Sequence, residues 1–188
     1  MAGLCFVALT ACSRGRLDAR EAQRMIEEHP RFRAPQTIRV PLRYCGLRPA
    51  PDAATAGADP LHIRDLEGNR IVTVQHRPAS GEECRGLPAS NREVFQIALT
   101  DVANTFHPTP LSDGRGWEFA VARRRFIAIG DITYNSEDPP TVAHVGFSWR
   151  WIPELLGQLL QTTSEVQLGA SATFRRTPDG WVVVQPGM

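Results

Sequence analysis

The sequence predicts an α+β fold: a small N-terminal helix and strand region, followed by a four-stranded antiparallel sheet covered by a short helix. Three observations predict it. In the C-terminal half apolar residues alternate with polar ones at period two, the pattern of strands with one buried face. Two of those stretches are joined directly by Thr177-Pro178-Asp179-Gly180, which suits a type I turn followed by a glycine bulge. Two shorter stretches instead place apolar residues at helical spacing.

The first helix is expected from about Asp18 to His29. Asp18 can cap it, Glu21 three residues later suits a capping box, and Leu17 can staple onto Ala22. Ala22, Met25, Ile26 and His29 form its apolar stripe, and Pro30 is a stop signal. Thr37 to Arg43 reads as a strand, with Pro41 favouring a sheet edge. Pro49 to Ala58, rich in Ala and Pro, is loop. Asp59-Pro60 supplies a cap and a first-turn proline for a short helix that runs to Glu67 and stops at Gly68. A strand from Arg70 to Gln75 and a polar loop from Pro78 to Pro88 follow. Arg92 to Thr100 carries two patterns. Phe95, Ile97 and Leu99 alternate, while Ser90 and Glu93 make a capping box with Val94, Ile97, Ala98 and Val102 at helical spacing. The strand is preferred up to Leu99, with a short helix capped by Thr100 after it.

Trp117 to Ile132 begins as an alternating strand and ends in an apolar run, Phe126 to Ile129. Beyond a turn at Asn135 to Pro140, Val145, Phe147, Trp149 and Trp151 share one strand face, and His144, Ser148 and Arg150 the other. Pro153 opens a short helix in which Leu155, Leu156, Leu159 and Leu160 form one stripe to cover a sheet. Val166, Leu168, Ala170, Ala172 and Phe174 alternate again, and the turn then leads into Trp181-Val182-Val183-Val184.

Composition narrows the function classes. A chain of 188 residues that is 42% apolar and 22% charged is ordinary globular protein. All 21 basic residues are Arg, which reads as the codon bias of a GC-rich bacterial genome rather than selection for phosphate binding. With a net charge of +1 no global field draws the protein to nucleic acid. The motifs GxSxG, HExxH, CxxC, GxGxxG, the Walker loop and the EF-hand are all missing from the sequence, and the five histidines have no close His or Cys partner. No cofactor, catalytic residue or metal ligand is therefore assigned.

Leu9-Thr10-Ala11-Cys12 closes a short apolar run and resembles the lipobox of bacterial lipoproteins. The resemblance implies that residues 1–11 are a signal peptide and that Cys12 is lipidated and becomes the new N-terminus. Ser13, rather than Asp, after that cysteine implies sorting to the outer membrane, with the protein facing the periplasm. Residues 12–16 then form a tether, 17–112 an N-terminal α+β region and 113–188 a C-terminal sheet region. On this reading Cys5 leaves with the signal and Cys12 takes lipid, so Cys45 and Cys84 remain, an even pair in an oxidising compartment, and are expected to be bridged.

Two looser resemblances concern shape. "HIRDLEGNRIVTV" and "FQIALTD" resemble the helix, turn and strands around a winged-helix wing, which implies DNA binding in cytosolic relatives; no basic recognition helix accompanies them here. The alternating strands ending in "DGWVV" resemble the cystatin-like layout of small secreted bacterial domains. For site chemistry, His144 and Arg150 with Ser148 could bind an anion from one strand face, and Arg123-Arg124-Arg125 could touch lipid phosphates or lipopolysaccharide. Both have plainer readings, as a solvated sheet face and a solvated charge run. In an alternating strand one of the three arginines must point away from the other two. Asp131, Glu137 and Asp138 are candidate partners for them. The row Phe147, Trp149, Trp151 is expected in the core rather than as a sugar platform. The expected function is a non-enzymatic binding or envelope-support lipoprotein whose partners are the membrane, through the lipid, and an envelope protein or anionic envelope ligand. The alternatives are a periplasmic hydrolase with a site of distant residues and a cytosolic winged-helix-like regulator.

Overall fold

The computed structural model describes residues 15–47, 62–80, 84, 92–162 and 166–187. The lipobox, the loop at Pro49 to Ala58, the pair Asp59-Pro60 and most of the loop to Pro88 lie outside those residues. Helices are α1 (Ala19–Glu28), α2 (Pro30–Arg33), α3 (Ile63–Gly68) and α4 (Leu155–Leu160), with a 3-10 turn at Asp101–Phe106. Strands are β1 (Gln36–Pro41), β2 (Arg43–Leu47), β3 (Val72–Pro78), β4 (Arg92–Leu99), β5 (Thr109–Pro110), β6 (Gly116–Tyr134), β7 (Val142–Pro153), β8 (Gln167–Thr177) and β9 (Gly180–Gly187).

Helices and antiparallel strands are both present, as expected, but the strand count is not the expected four. One sheet has six strands in the order β1-β6-β7-β8-β9, with β5 also on β6; a second has three, β2-β4-β3. The expected four correspond to β6 to β9. β1 and β5 add to that sheet because β6 offers pairing groups along its start, where Val40 pairs with Trp117 and Thr109 with Glu118. Pro41 indeed sits on an edge strand, where its missing N–H removes no ladder bond.

The chain divides into two compact units, each discontinuous in sequence. The first takes residues 1–33, 126–150 and 167–188, and the second residues 34–125 and 151–166.

In the first unit α1 starts at Asp18, whose Oδ1 accepts the Glu21 N–H at 2.8 Å. Leu17, Ala22 and Ile26 are buried, and α1 lies against β9. Pro30 ends α1 by forcing His29 into an extended conformation, and then itself opens α2. α2 delivers Phe32 to Phe126 and Phe147, each 6.3 Å away between ring centres. Of the predicted inward row on β7, Val145, Phe147 and Trp149 are buried, with Ala143 ahead of them, while Trp151 is only half-buried. The hairpin from β8 to β9 turns where expected, with Gly180 at φ +127° and the Thr177 hydroxyl donating to its carbonyl at 2.9 Å.

In the second unit the core gathers Val40, Ile63, Leu66, Ile71, Val72, Ile97, Phe119, Leu156 and Leu160. The predicted strand Thr37 to Arg43 is cut at Leu42, whose N–H donates to the Arg115 carbonyl while its own carbonyl accepts from Ile97, both at 2.8 Å. One residue thus hands the chain from the larger sheet to the smaller one. In β6, Ala120 pairs with Thr37 and Ala122 with Gln36, leaving Val121 as an unpaired bulge. Its carbonyl accepts the Glu154 N–H at 2.8 Å, where β7 ends and α4 begins.

The leucine stripe of α4 is only half correct. Leu156 and Leu160 are buried, whereas Leu155 is 55% and Leu159 43% exposed. A helix of six residues turns i and i+4 inward but cannot also bury i−1 and i+3 when Gly157 presses the backbone onto β6. A Cβ at Gly157 would stand 2.0 Å from the Val121 carbonyl oxygen. Gly157→Ala is therefore expected to cost about 2–4 kcal/mol in urea unfolding; a loss under about 0.5 kcal/mol would overturn this packing.

Tyr134 fastens the start of the first unit. Its hydroxyl donates to the Leu17 carbonyl at 2.7 Å, and burial pushes its phenol pKa up, with Asp18 adding to the rise and Arg16 opposing it. The fold thus favours the neutral phenol, so this stabilisation is complete below about pH 10 and is lost as pH rises through the raised folded value. Tyr134→Phe should cost about 1 kcal/mol at neutral pH and flatten the alkaline limb of the stability profile.

Candidate functional site

The polar face of β7 is built as the alternation requires. His144 is exposed, and its Nδ1 lies 3.2 Å from the Thr173 hydroxyl of β8, its register partner. Ser148 and Arg150 follow on the same face, opposite Gly169 and Gln167. Between His144 and Ser148 stands Gly146, opposite Ser171 on β8. Gly130 of β6 approaches its carbonyl, so a Cβ there would sit 3.3 Å from that oxygen. The result is a shallow polar strip, bare at the two glycines, that can offer hydrogen bonds but encloses nothing.

The three arginines, in the second unit, part company. Arg123 pairs with Glu154 at 3.4 Å, and not with the acids proposed from sequence. Arg124 is the one that points inward. Its guanidinium lies 4.4 Å over the Trp151 ring and donates to the Ala34 carbonyl at 2.9 Å, and burial lowers its pKa. The ring of Trp151 is thereby half-buried as the arginine's floor, while Phe147 and Trp149 are core. Arg125 is exposed.

A different constellation appears on the three-stranded sheet. In register across it stand Tyr44 of β2, Phe95 of β4 and His76 of β3. The Tyr44 and Phe95 rings stack at 4.6 Å and 5°, and His76 lies 6.0 Å from Phe95 on its other side. One pair further along the same face are Gly46, Glu93 and Pro78. Gly46 leaves room for the ring of Phe95, since a Cβ there would stand 2.9 Å from it. Glu93 is only 6% exposed, the buried charged side chain among the described residues, and its Oε2 lies 3.1 Å from His76 Nδ1. Cys45, on the opposite face of β2, is bonded to Cys84 with Cα atoms 5.5 Å apart, as predicted.

An ionised Glu93 can only accept, so it places a proton on Nδ1 and leaves the Nε2 lone pair of His76 in a side chain 57% exposed. Such a ring can hydrogen-bond a ligand beside an aromatic stack. As a metal site it is incomplete: no group of three or more His, Cys, Asp or Glu able to hold an ion occurs among the described residues. No helix among them is long and apolar enough to cross a membrane. Comparison with protein families, curated proteins and solved structures found no match.

Sequence reading did not find the His76–Glu93 pair. The two lie 17 positions apart, and only the register of β3 on β4 joins them. The one available signal was that Glu93 falls on the inward phase of the strand pattern Phe95, Ile97, Leu99, an unusual place for a carboxylate.

The arginines give a direct check. Arg124→Ala should lower stability by about 1–3 kcal/mol, since stacking and a charge-assisted bond are both lost. Arg125→Ala should stay within about 0.5 kcal/mol. Equal losses in chemical denaturation would mean that Arg124 is not the structural member of the three.

Proposed function

We propose that the protein is an envelope lipoprotein, anchored by acylated Cys12 to the outer membrane and facing the periplasm. On this reading it acts as a non-enzymatic binding or envelope-support module. Cys12 lies outside the described residues, and the lipobox carries that part of the reading. The observation that carries the rest is the Cys45–Cys84 disulfide. Disulfides persist in oxidising compartments and are rare where glutathione keeps thiols reduced. That weighs against a cytosolic winged-helix-like regulator. Binding, rather than catalysis, suits the open polar strip on β7 and β8, which presents donors and acceptors without a closed pocket.

One observation favours the hydrolase alternative, the carboxylate-held imidazole of His76. A hydrolase needs in addition a nucleophile within reach of that ring and donors for the developing oxyanion. The bonds of His76 are to Glu93 and the Phe95 ring, which supply neither.

Metabolic labelling with an alkyne fatty acid tests the anchor. Label should enter the wild-type protein and vanish in Cys12→Ala, and envelope-purified protein should show no thiol reactive to maleimide until a reductant exposes two. An unlabelled wild-type protein in the soluble fraction, with Cys45 and Cys84 free, refutes the proposal.

A further inference from the structure

A bare sheet edge pairs readily with another chain, and folded proteins interrupt their edges with prolines, bulges, charged side chains or cover. Most edges among the described residues are interrupted in that way. β1 ends at Pro41, β5 is two residues long, β9 bulges at Val184 and carries Pro186, and β2 is clamped by the Cys45–Cys84 bridge. β3 is not. It is the outer strand of the order β2-β4-β3, and its register on β4 runs unbroken from Val72 to Pro78. From Val72 to His76 it contains no proline and no Asp, Glu or Arg.

Two bonds fix which backbone groups of β3 face outward. The Ile97 N–H donates to the Leu42 carbonyl at 2.8 Å, and the Thr100 N–H to the Ile71 carbonyl at 3.1 Å. Bonded pairs alternate along an antiparallel ladder, so Thr73, Gln75 and Arg77 bond to β4. The N–H and C=O groups of Val72, Val74 and His76 therefore point away from it, and no described residue bonds to them. Pro78 has the same phase but no N–H, which ends the pairing edge at His76.

A second copy of the same strand fits this edge. Laid antiparallel about a two-fold axis at Val74, Val74 meets Val74 and Val72 meets His76 twice, giving three pairs of two hydrogen bonds each. A slip by two residues brings Pro78 into the pairing and loses bonds. On the other face Thr73 meets Gln75, so no like charges oppose one another. This register also sets Arg77 of one copy opposite Ile71 of the other, beside an open groove of about 440 Å³ lined by Glu67, Arg70, Thr100, Asp101 and Val102. Glu67 and Asp101 are exposed and outnumber Arg70, so the groove is negative and Arg77 is the complementary charge. Val102, 44% exposed, lines the same groove.

We propose that the protein self-associates through β3, joining two three-stranded sheets into one continuous sheet in the order β2-β4-β3-β3-β4-β2. An interface of one strand pair and a groove belongs to the small, reversible class, so the dimer dissociates on dilution.

The test replaces Gln75 of the full chain with the photo-cross-linker p-benzoylphenylalanine and irradiates intact cells. The expected product has twice the mass of the chain and is linked within Val72 to Pro78 of the second copy. Val74→Pro removes the N–H at the centre of the pairing but no bond to β4, so it should lower the yield about tenfold or more while the urea midpoint holds. Should that variant fail to fold, Arg77→Glu should lower the yield about threefold or more, and adding Asp101→Arg should restore it. Links confined to one chain, to another part of the second copy or to a different protein would overturn the proposal. Yields that neither Val74→Pro nor Arg77→Glu changes would overturn it as well.

Discussion

Val121 has no partner in β1, and that one missing pair sets the course of the second unit's core. Up to the bulge, Phe119 and Val121 face inward; after it Ala122 does, so the inward phase moves by one residue. Arg124 inherits the inward side and must find a desolvated place, which the Trp151 ring and the Ala34 carbonyl supply. The same bulge frees the Val121 carbonyl from the ladder to accept the Glu154 N–H. That bond fixes where β7 stops and where α4 lies down, and the close approach leaves Gly157 no room for a side chain.

Features decided by neighbours in sequence were legible. The Asp18 cap, the stop at Pro30, the edge position of Pro41 and the turn before Gly180 each follow from a local property of one residue. Features decided by register were not. Thr37 to Arg43 alternates without a break, yet Leu42 divides it, because its two backbone groups are claimed by Arg115, just ahead of β6, and by Ile97 of β4. Leu155 and Leu159 look identical to Leu156 and Leu160 until the helix is placed by the Val121 carbonyl. His76 and Glu93 form a pair only because Gln75 faces Gln96, which sets the whole β3–β4 register. The disulfide was legible for another reason: it followed from counting cysteines under an assumed compartment.

That disulfide matters most where the fold is weakest. β2 is an edge strand of five residues in a sheet of three, about the smallest sheet that holds together in water. Linking Cys45 to Cys84, 39 positions on, removes unfolded-state freedom worth about 4 kcal/mol in the chain-entropy treatment. It also keeps Tyr44 on the Phe95 ring and Gly46 beside Glu93, whose burial costs several kcal/mol unless its oxygens are bonded. A reducing environment would loosen the strand that covers the carboxylate, so sheet, stack and acid depend together on the compartment.

Tether length decides what a lipid anchor does to the protein it holds. A long flexible linker lets a domain diffuse through a large volume, and weak surface contacts then stay unpopulated. A linker of two residues raises the effective concentration of nearby groups at the surface to the millimolar range or above, so individually weak contacts are occupied. Gly15, Arg16 and Leu17 are spent on packing against Arg176 and Tyr134 rather than on reach. The polar strip on β7 and β8 belongs to the same compact unit as these first residues.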